Sequence, residues 1–148
     1  MGYYTTITDA DFLIPTANEA AALAALKALN DPKYNEQKQG GVWGAGVEGK
    51  SEAWYSWMTA DYDQHVRSCA DVFSQLGFEV EETPEGMRLT GYDNKTGQED
   101  LFLAAVAPYV AADSFLAWRG EDGMLYRFEF DGTKMIEMEA RTSWVTSR

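Results

Sequence analysis

The spacing of hydrophobic and polar positions changes several times along the chain, and each change marks an element. Residues 3–14 (YYTTITDADFLI) are rich in Tyr, Thr and Ile and predict a first strand, closed by Pro15, which has no amide to offer a ladder. Thr16-Ala17-Asn18-Glu19 has the form of a capping box and predicts a helix over about 17–30, with Leu23 and Leu26 at helical spacing and Asp31-Pro32 as its stop. Residues 32–52 turn polar and then glycine-rich (Gly40, Gly41, Gly44, Gly46, Gly49) and read as a loop. The aromatic run AWYSWM at 53–58 reads as a strand, with Trp54, Ser56 and Met58 on one face and Tyr55 and Trp57 on the other. A second helix is expected over about 62–76, where Val66, Cys69, Phe73 and Leu76 form one stripe and Gly77 supplies the left-handed C-terminal position.

A hairpin follows, with Val80 opposite Leu89 and Phe78 opposite Gly91 across Thr83-Pro84-Glu85-Gly86. Thr96-Gly97-Gln98-Glu99 repeats the capping pattern and opens a third helix that Pro108 ends or kinks. The last third reads as a three-stranded meander. Three-residue loops at Glu121-Asp122-Gly123 and Asp131-Gly132-Thr133 set Trp118 against Tyr126, Leu116 and Ile136 against Phe128, and Met138 against Tyr126. One face then carries Leu116, Trp118, Tyr126, Phe128, Phe130, Ile136, Met138 and Ala140, and the other carries Arg119, Arg127, Glu129, Glu137, Glu139 and Arg141, with Leu125 and Met135, both beside turns, as its apolar exceptions. A two-residue turn at either place would flip one strand and mix the faces. The order of elements predicts a single α+β domain over 1–148. Its centre is a ferredoxin-like βαββαβ core with helices on one face of an antiparallel sheet, extended by an N-terminal βα unit and the C-terminal meander.

Charge narrows the function classes. Twelve basic against 24 acidic side chains leave a net charge of -12, which disfavours direct nucleic-acid binding and an anionic membrane surface, and favours basic partners. The stretch from Asp61 to Ala112 holds ten acids and three bases, including Glu79, Glu81, Glu82 and Glu85 around one hairpin. With Cys69 as the one cysteine, a disulfide within the chain and a multi-cysteine zinc site are both excluded. No apolar run approaches ~20 residues, and the N-terminus lacks a basic stretch followed by an apolar one, so a cytoplasmic setting is expected.

Several motifs lose to plainer readings. Gly44 to Ser51 (GAGVEGKS) matches the phosphate-loop pattern, yet it is neither fed by a buried strand nor followed by a helix, and Glu48 would repel phosphate. Asp61, His65 and Cys69 would share one helix face, but three residues on one helix do not enclose a metal. Cys69 lies on an apolar stripe rather than in the electropositive setting an activated thiol wants. Asp9 and Asp11 alternate onto one strand face as a minor acid–base candidate. Catalytic, cofactor and metal residues are therefore not assigned. The aromatic cluster Trp43, Trp54, Tyr55, Trp57 and Tyr62 is a candidate interface, because Trp and Tyr dominate binding hot spots.

The opening MGYYTTITDADF, the SWM after the glycine loop, GYDNKTGQEDLF and WRGEDG…FDGTK resemble a family of small acidic proteins of bacteriophages and their bacterial hosts. That family carries no assigned activity, so the resemblance implies a viral context and no site residue. Taken together, the expectation is a non-catalytic phage accessory protein that binds and inhibits a host or antiviral-defence protein with a basic surface. Its interface would comprise the aromatic cluster together with Glu79, Glu81, Glu82 and Glu85. Two other readings are a nucleotide or small-molecule binder using the 40–50 loop, and a hydrolase using Asp9, Asp11 or His65.

Overall fold

The computed structural model describes residues 3–34, 38, 54–55, 58, 60–141 and 143–146. Among the described residues six strands form one sheet: β1 (Tyr4–Pro15), β2 (Phe78–Thr83), β3 (Gly86–Lys95), β4 (Phe115–Gly120), β5 (Leu125–Phe130) and β6 (Met135–Glu139). Their order is β2-β3-β1-β4-β5-β6, and every neighbouring pair is antiparallel. Helices α1 (Glu19–Ala28), α2 (Cys69–Leu76) and α3 (Glu99–Val106) complete the α+β fold.

Strand alternation explains where the core sits. Phe12, Ile14, Met87, Leu89, Leu116, Trp118, Phe128 and Phe130 are buried and meet Leu26, Phe73 and Phe102 from the three helices. Phe12 stands edge-on to both Phe73 and Phe130, tying β1 to α2 and β5. Their strand neighbours Asp9, Asp11, Arg119 and Arg127 are exposed, so one sheet face is covered and the other is wet. The long N-terminal strand, expected as an extension, is central: it pairs with β3 on one side and β4 on the other.

Besides a bulge after Glu79 that sets Phe78 against Tyr92 and not Gly91, three expectations need correction. First, Trp54, Tyr55 and Met58 lie in bends outside the six strands, so the first strand of the expected ferredoxin-like unit is not present among the described residues. These side chains are drawn into the core, where burial and polar contacts override their strand propensity.

Second, the helix expected over 62–76 is divided. A 3-10 turn at Tyr62–Gln64 is followed by a break, and α2 begins at Cys69. The break has a local cause. Ser68 Oγ accepts the Asp71 amide at 3.1 Å and Asp71 Oδ2 accepts the Arg67 amide at 2.8 Å, a reciprocal cap that starts a new helix. At the other end Gly77, with φ 106°, donates its amide back to Phe73 and Ser74, as expected. The two other capping patterns form no such cap: α1 begins after a 3-10 turn at Thr16–Asn18, and Gln98 precedes α3.

Third, β6 is in the opposite phase. The β4–β5 register agrees with expectation, with Leu116 opposite Phe128 and Trp118 opposite Tyr126. The next hairpin, however, pairs Phe128 with Glu137 and Arg127 with Met138. Its turn is Gly132-Thr133, two residues long, with Gly132 at φ 97° and the Asp131 amide donating to the Lys134 carbonyl. Asp131 Oδ1 accepts the Thr133 and Lys134 amides and the Thr133 hydroxyl, each at 2.9 Å. The backbone donors of Lys134 and Thr133 hold that carboxyl down at about 2. The hold is complete above the ordinary aspartate value of about 3.9 and fades as pH falls through 2. Turn chemistry thus outweighs the separation of faces, because β6 is an edge strand with only Met135 half-buried and little core to gain. Ile136 and Met138 consequently lie on the wet face.

Candidate protein-docking surface

The acidic hairpin is built by β2, Pro84-Glu85 and β3. Thr83 lies opposite Gly86, and the Thr83 hydroxyl accepts the Glu85 and Gly86 amides, which makes the turn tight. Alternation sends Glu79 and Glu81 to the wet face and Glu82 to the other, and Glu85 sits at the tip; all four are exposed. Arg88, opposite Glu81, reaches Asp11 at 3.3 Å and Glu85 at 3.7 Å. Among the described residues no cation lies within ion-pair distance of Glu79, Glu81 or Glu82. The wet face is graded across the sheet. Carboxylates crowd β2, β3 and β1, while Arg119, Arg127, Phe115 and Ala117 occupy β4 and β5. Arg127 is itself engaged, stacked 4.1 Å over Phe115 and 3.0 Å from Glu129.

The aromatic half of the expected interface is placed elsewhere. Trp54, Tyr55 and Tyr62 are 2%, 3% and 1% exposed, so they are core and not surface. Each also spends its polar atom inside: Trp54 Nε1 donates to the Leu29 carbonyl at 3.1 Å, the Tyr62 hydroxyl to the Leu26 carbonyl at 2.7 Å, and the Tyr55 hydroxyl to Glu99 at 3.0 Å. Buried Glu99 also takes the Thr96 hydroxyl and the Gly97 amide, and burial together with Glu99 pushes the Tyr55 hydroxyl well above its ordinary range. Rings that close a core need a polar partner at their wet end, and here α1 and the start of α3 supply it. Trp43 and Trp57 lie outside the described residues, as does the whole 44–51 string.

The catalytic candidates separate. Asp61 and His65 make an exposed pair at 3.0 Å, while Cys69 is buried with its Sγ 3.5 Å from the Glu19 carbonyl. Burial first, and the Glu19 carboxylate second, push the thiol up to about 12, so it stays protonated at neutral pH. We expect Cys69 in the folded chain to react with a soluble aromatic disulfide at least about a hundredfold slower than in denaturant, because reaction must await local opening. A stoichiometric burst at pH 7 would contradict this. Asp9 binds the adjacent Ala10 amide, and Asp11 is paired with Arg88. Among the described residues no three His, Cys, Asp or Glu side chains converge as a metal site, and no helix is long and apolar enough to cross a membrane.

Sequence reasoning places Leu125 on the wet face but misses Ile136 and Met138, which the β6 phase adds to it while withdrawing Met135 to the other face. Leu125, Ile136 and Met138 are exposed on the wet face, and Trp144 beyond β6 is exposed too. The signal was present in Asp131-Gly132-Thr133-Lys134, read with the two central residues as the turn. Comparison with protein-family models, curated proteins and solved structures gives no match.

Proposed function

We propose that this chain is a protein-binding module that docks its acidic hairpin onto a basic surface of a partner. In the bacteriophage setting that its sequence resemblance implies, the partner is a host or antiviral-defence protein in the host cytoplasm, and docking blocks it. The observation that supports this most directly is the set of exposed carboxylates at Glu79, Glu81 and Glu82, which have no cation within ion-pair distance among the described residues, Arg88 across from Glu81 being turned to Asp11 and Glu85. Like charges held on one strand repel one another, and a basic partner relieves that repulsion on contact. Because the glutamates are at the surface, their larger effect is on the rate and selectivity of association. Trp54, Tyr55 and Tyr62 are not part of this surface, since they serve the core.

The test is capture from host lysate with the chain as bait, at low and at high salt, beside a variant carrying Glu79→Gln, Glu81→Gln, Glu82→Gln and Glu85→Gln. One dominant partner should be held at low salt and released at high salt, and the variant should bind it at least about fourfold and up to several hundredfold more weakly, from roughly 0.2–1 kcal/mol at each of the four exposed sites. Undiminished capture by the variant would refute the hairpin as the docking surface.

A further inference from the structure

We propose that β6 is a second docking edge, one that accepts an extended strand of a partner polypeptide alternating basic with apolar residues. Among the described residues β6 ends the sheet order and pairs with β5 alone. The phase of that ladder is fixed at both ends, by the Asp131 amide donating to Lys134 at 3.2 Å and the Ala140 amide donating to Leu125 at 3.1 Å. Hydrogen-bonded pairs in an antiparallel ladder recur every second residue. Ile136 and Met138 therefore bond to β5, and the amides and carbonyls of Met135, Glu137 and Glu139 point outward. The edge is straight, since its pairing runs from Met135 to Glu139 without a register shift. It carries no proline, lysine or bulge; its devices against indiscriminate pairing are the two glutamates on its helix face, Glu137 and Glu139, which oppose an acidic strand and not a basic one.

The side chains state the chemistry of the occupant. On the wet face Ile136, opposite Glu129, is 41% exposed, while Met138 and Leu125, 46% and 49% exposed, line a cavity of about 320 Å³ together with Ala117, Arg127, Glu129 and Ala140. On the helix face Glu137 and Glu139 join Asp100 around a cavity of about 250 Å³ whose floor includes Phe128. An added strand would alternate its side chains between these two surfaces. Apolar residues suit the first. Lysine or arginine suits the second, laying its stem on the apolar floor and its charge among the carboxylates. A second copy of this chain fits poorly. The register that overlaps all of β6 would set Glu137 against Glu137 and Met135 against Glu139, between molecules of net charge -12. The acidic edge thus rejects itself and selects a basic strand.

β2 and β6 are opposite edges of the sheet, so this surface and the hairpin can fail independently. The probe is a blocked heptapeptide alternating lysine with valine, compared with an analogue of the same charge N-methylated at every second amide. Binding to the ¹⁵N-labelled full chain is followed by amide chemical shifts. We expect shifts concentrated on Leu125 and Met135–Glu139, and binding at least about tenfold weaker for the methylated analogue, since it cannot complete the ladder. Glu137→Pro removes an outward amide and no ladder bond, so it should weaken the peptide by at least about tenfold while the remaining spectrum is unchanged. Glu137→Lys with Glu139→Lys, which keeps the strand intact, should do the same by reversing the charge. The four-glutamine hairpin variant should bind the peptide like the parent chain. Equal binding of the methylated analogue, no binding, or a dimer of the chain that Glu137→Pro dissolves would overturn the proposal. Shifts confined to Glu79–Glu85 would overturn it too, while leaving the hairpin reading in place.

Discussion

Replacing Trp118 by alanine is expected to destabilise the fold by about 3–5 kcal/mol. Trp118 is 1% exposed on β4 and sits at the middle of a ring cluster that spans the sheet. It stacks on Tyr126 at 5.8 Å with an interplanar angle of 3°, and it meets Tyr92, Phe128 and Phe78 at 5.5, 5.6 and 6.0 Å. Truncation would remove contacts with β2, β3 and β5 together and leave a cavity that four neighbouring rings cannot easily fill. Its indole nitrogen has no acceptor among the described residues, so the residue stabilises by packing despite a buried donor. Trp118→Phe should therefore cost far less, under about 1.5 kcal/mol, because it deletes that donor while keeping a ring. Denaturant unfolding of both variants decides the matter. An alanine loss below about 1.5 kcal/mol, or a phenylalanine loss as large as the alanine loss, would contradict this account of the core.

Gly86→Ala is expected to cost roughly 2–6 kcal/mol, from two effects that add. Gly86 opens β3 at φ 147°, a conformation costing about 1–3 kcal/mol for a residue with a side chain. A Cβ there would also fall 2.0 Å from the Ile14 carbonyl oxygen, so the hairpin would have to move off the central strand at roughly 1–3 kcal/mol. Gly123 separates the two terms. It also has positive φ, at 86°, yet an added Cβ meets nothing within 4 Å, so Gly123→Ala should cost about 1 kcal/mol. Thermal unfolding of both variants checks the difference, and equal losses would show that contact with β1 is not what fixes the hairpin. The consequence reaches function, since Glu85 and its neighbours are carried by this turn.

Where local chemistry and burial agree, the sequence is a good guide. Trp118 opposite Tyr126 follows from a glycine at the third position of Glu121-Asp122-Gly123 and from a covered sheet face, and both conditions hold. In β6 they conflict. Asp131 binds Thr133 and Lys134 whichever face Ile136 and Met138 prefer, and an edge strand has little burial to offer in return. The division of the second helix was written in Ser68 and Asp71, but a stripe of apolar residues running through both parts concealed it. Residues 53–58 show the opposite limit: alternation says nothing of tertiary demand, and Trp54, Tyr55 and Tyr62 are claimed by carbonyls of α1 and its end and by Glu99. For the candidate surface, the exposure of Glu79, Glu81, Glu82 and Glu85 was legible because charged side chains almost always stay at the surface. The aromatic half was not, because large rings serve cores and interfaces alike.

The association rate of the captured partner with this chain, compared at about 50 mM and about 500 mM salt, bears most directly on docking through the hairpin, since screening acts on exposed charges. The parent chain should associate at least about tenfold faster at low salt, the four-glutamine variant should be nearly insensitive to salt, and the two should converge when screening is strong. A variant that keeps the full salt dependence would show that other charges draw the partner in, and that Glu79, Glu81, Glu82 and Glu85 are only a solvated edge.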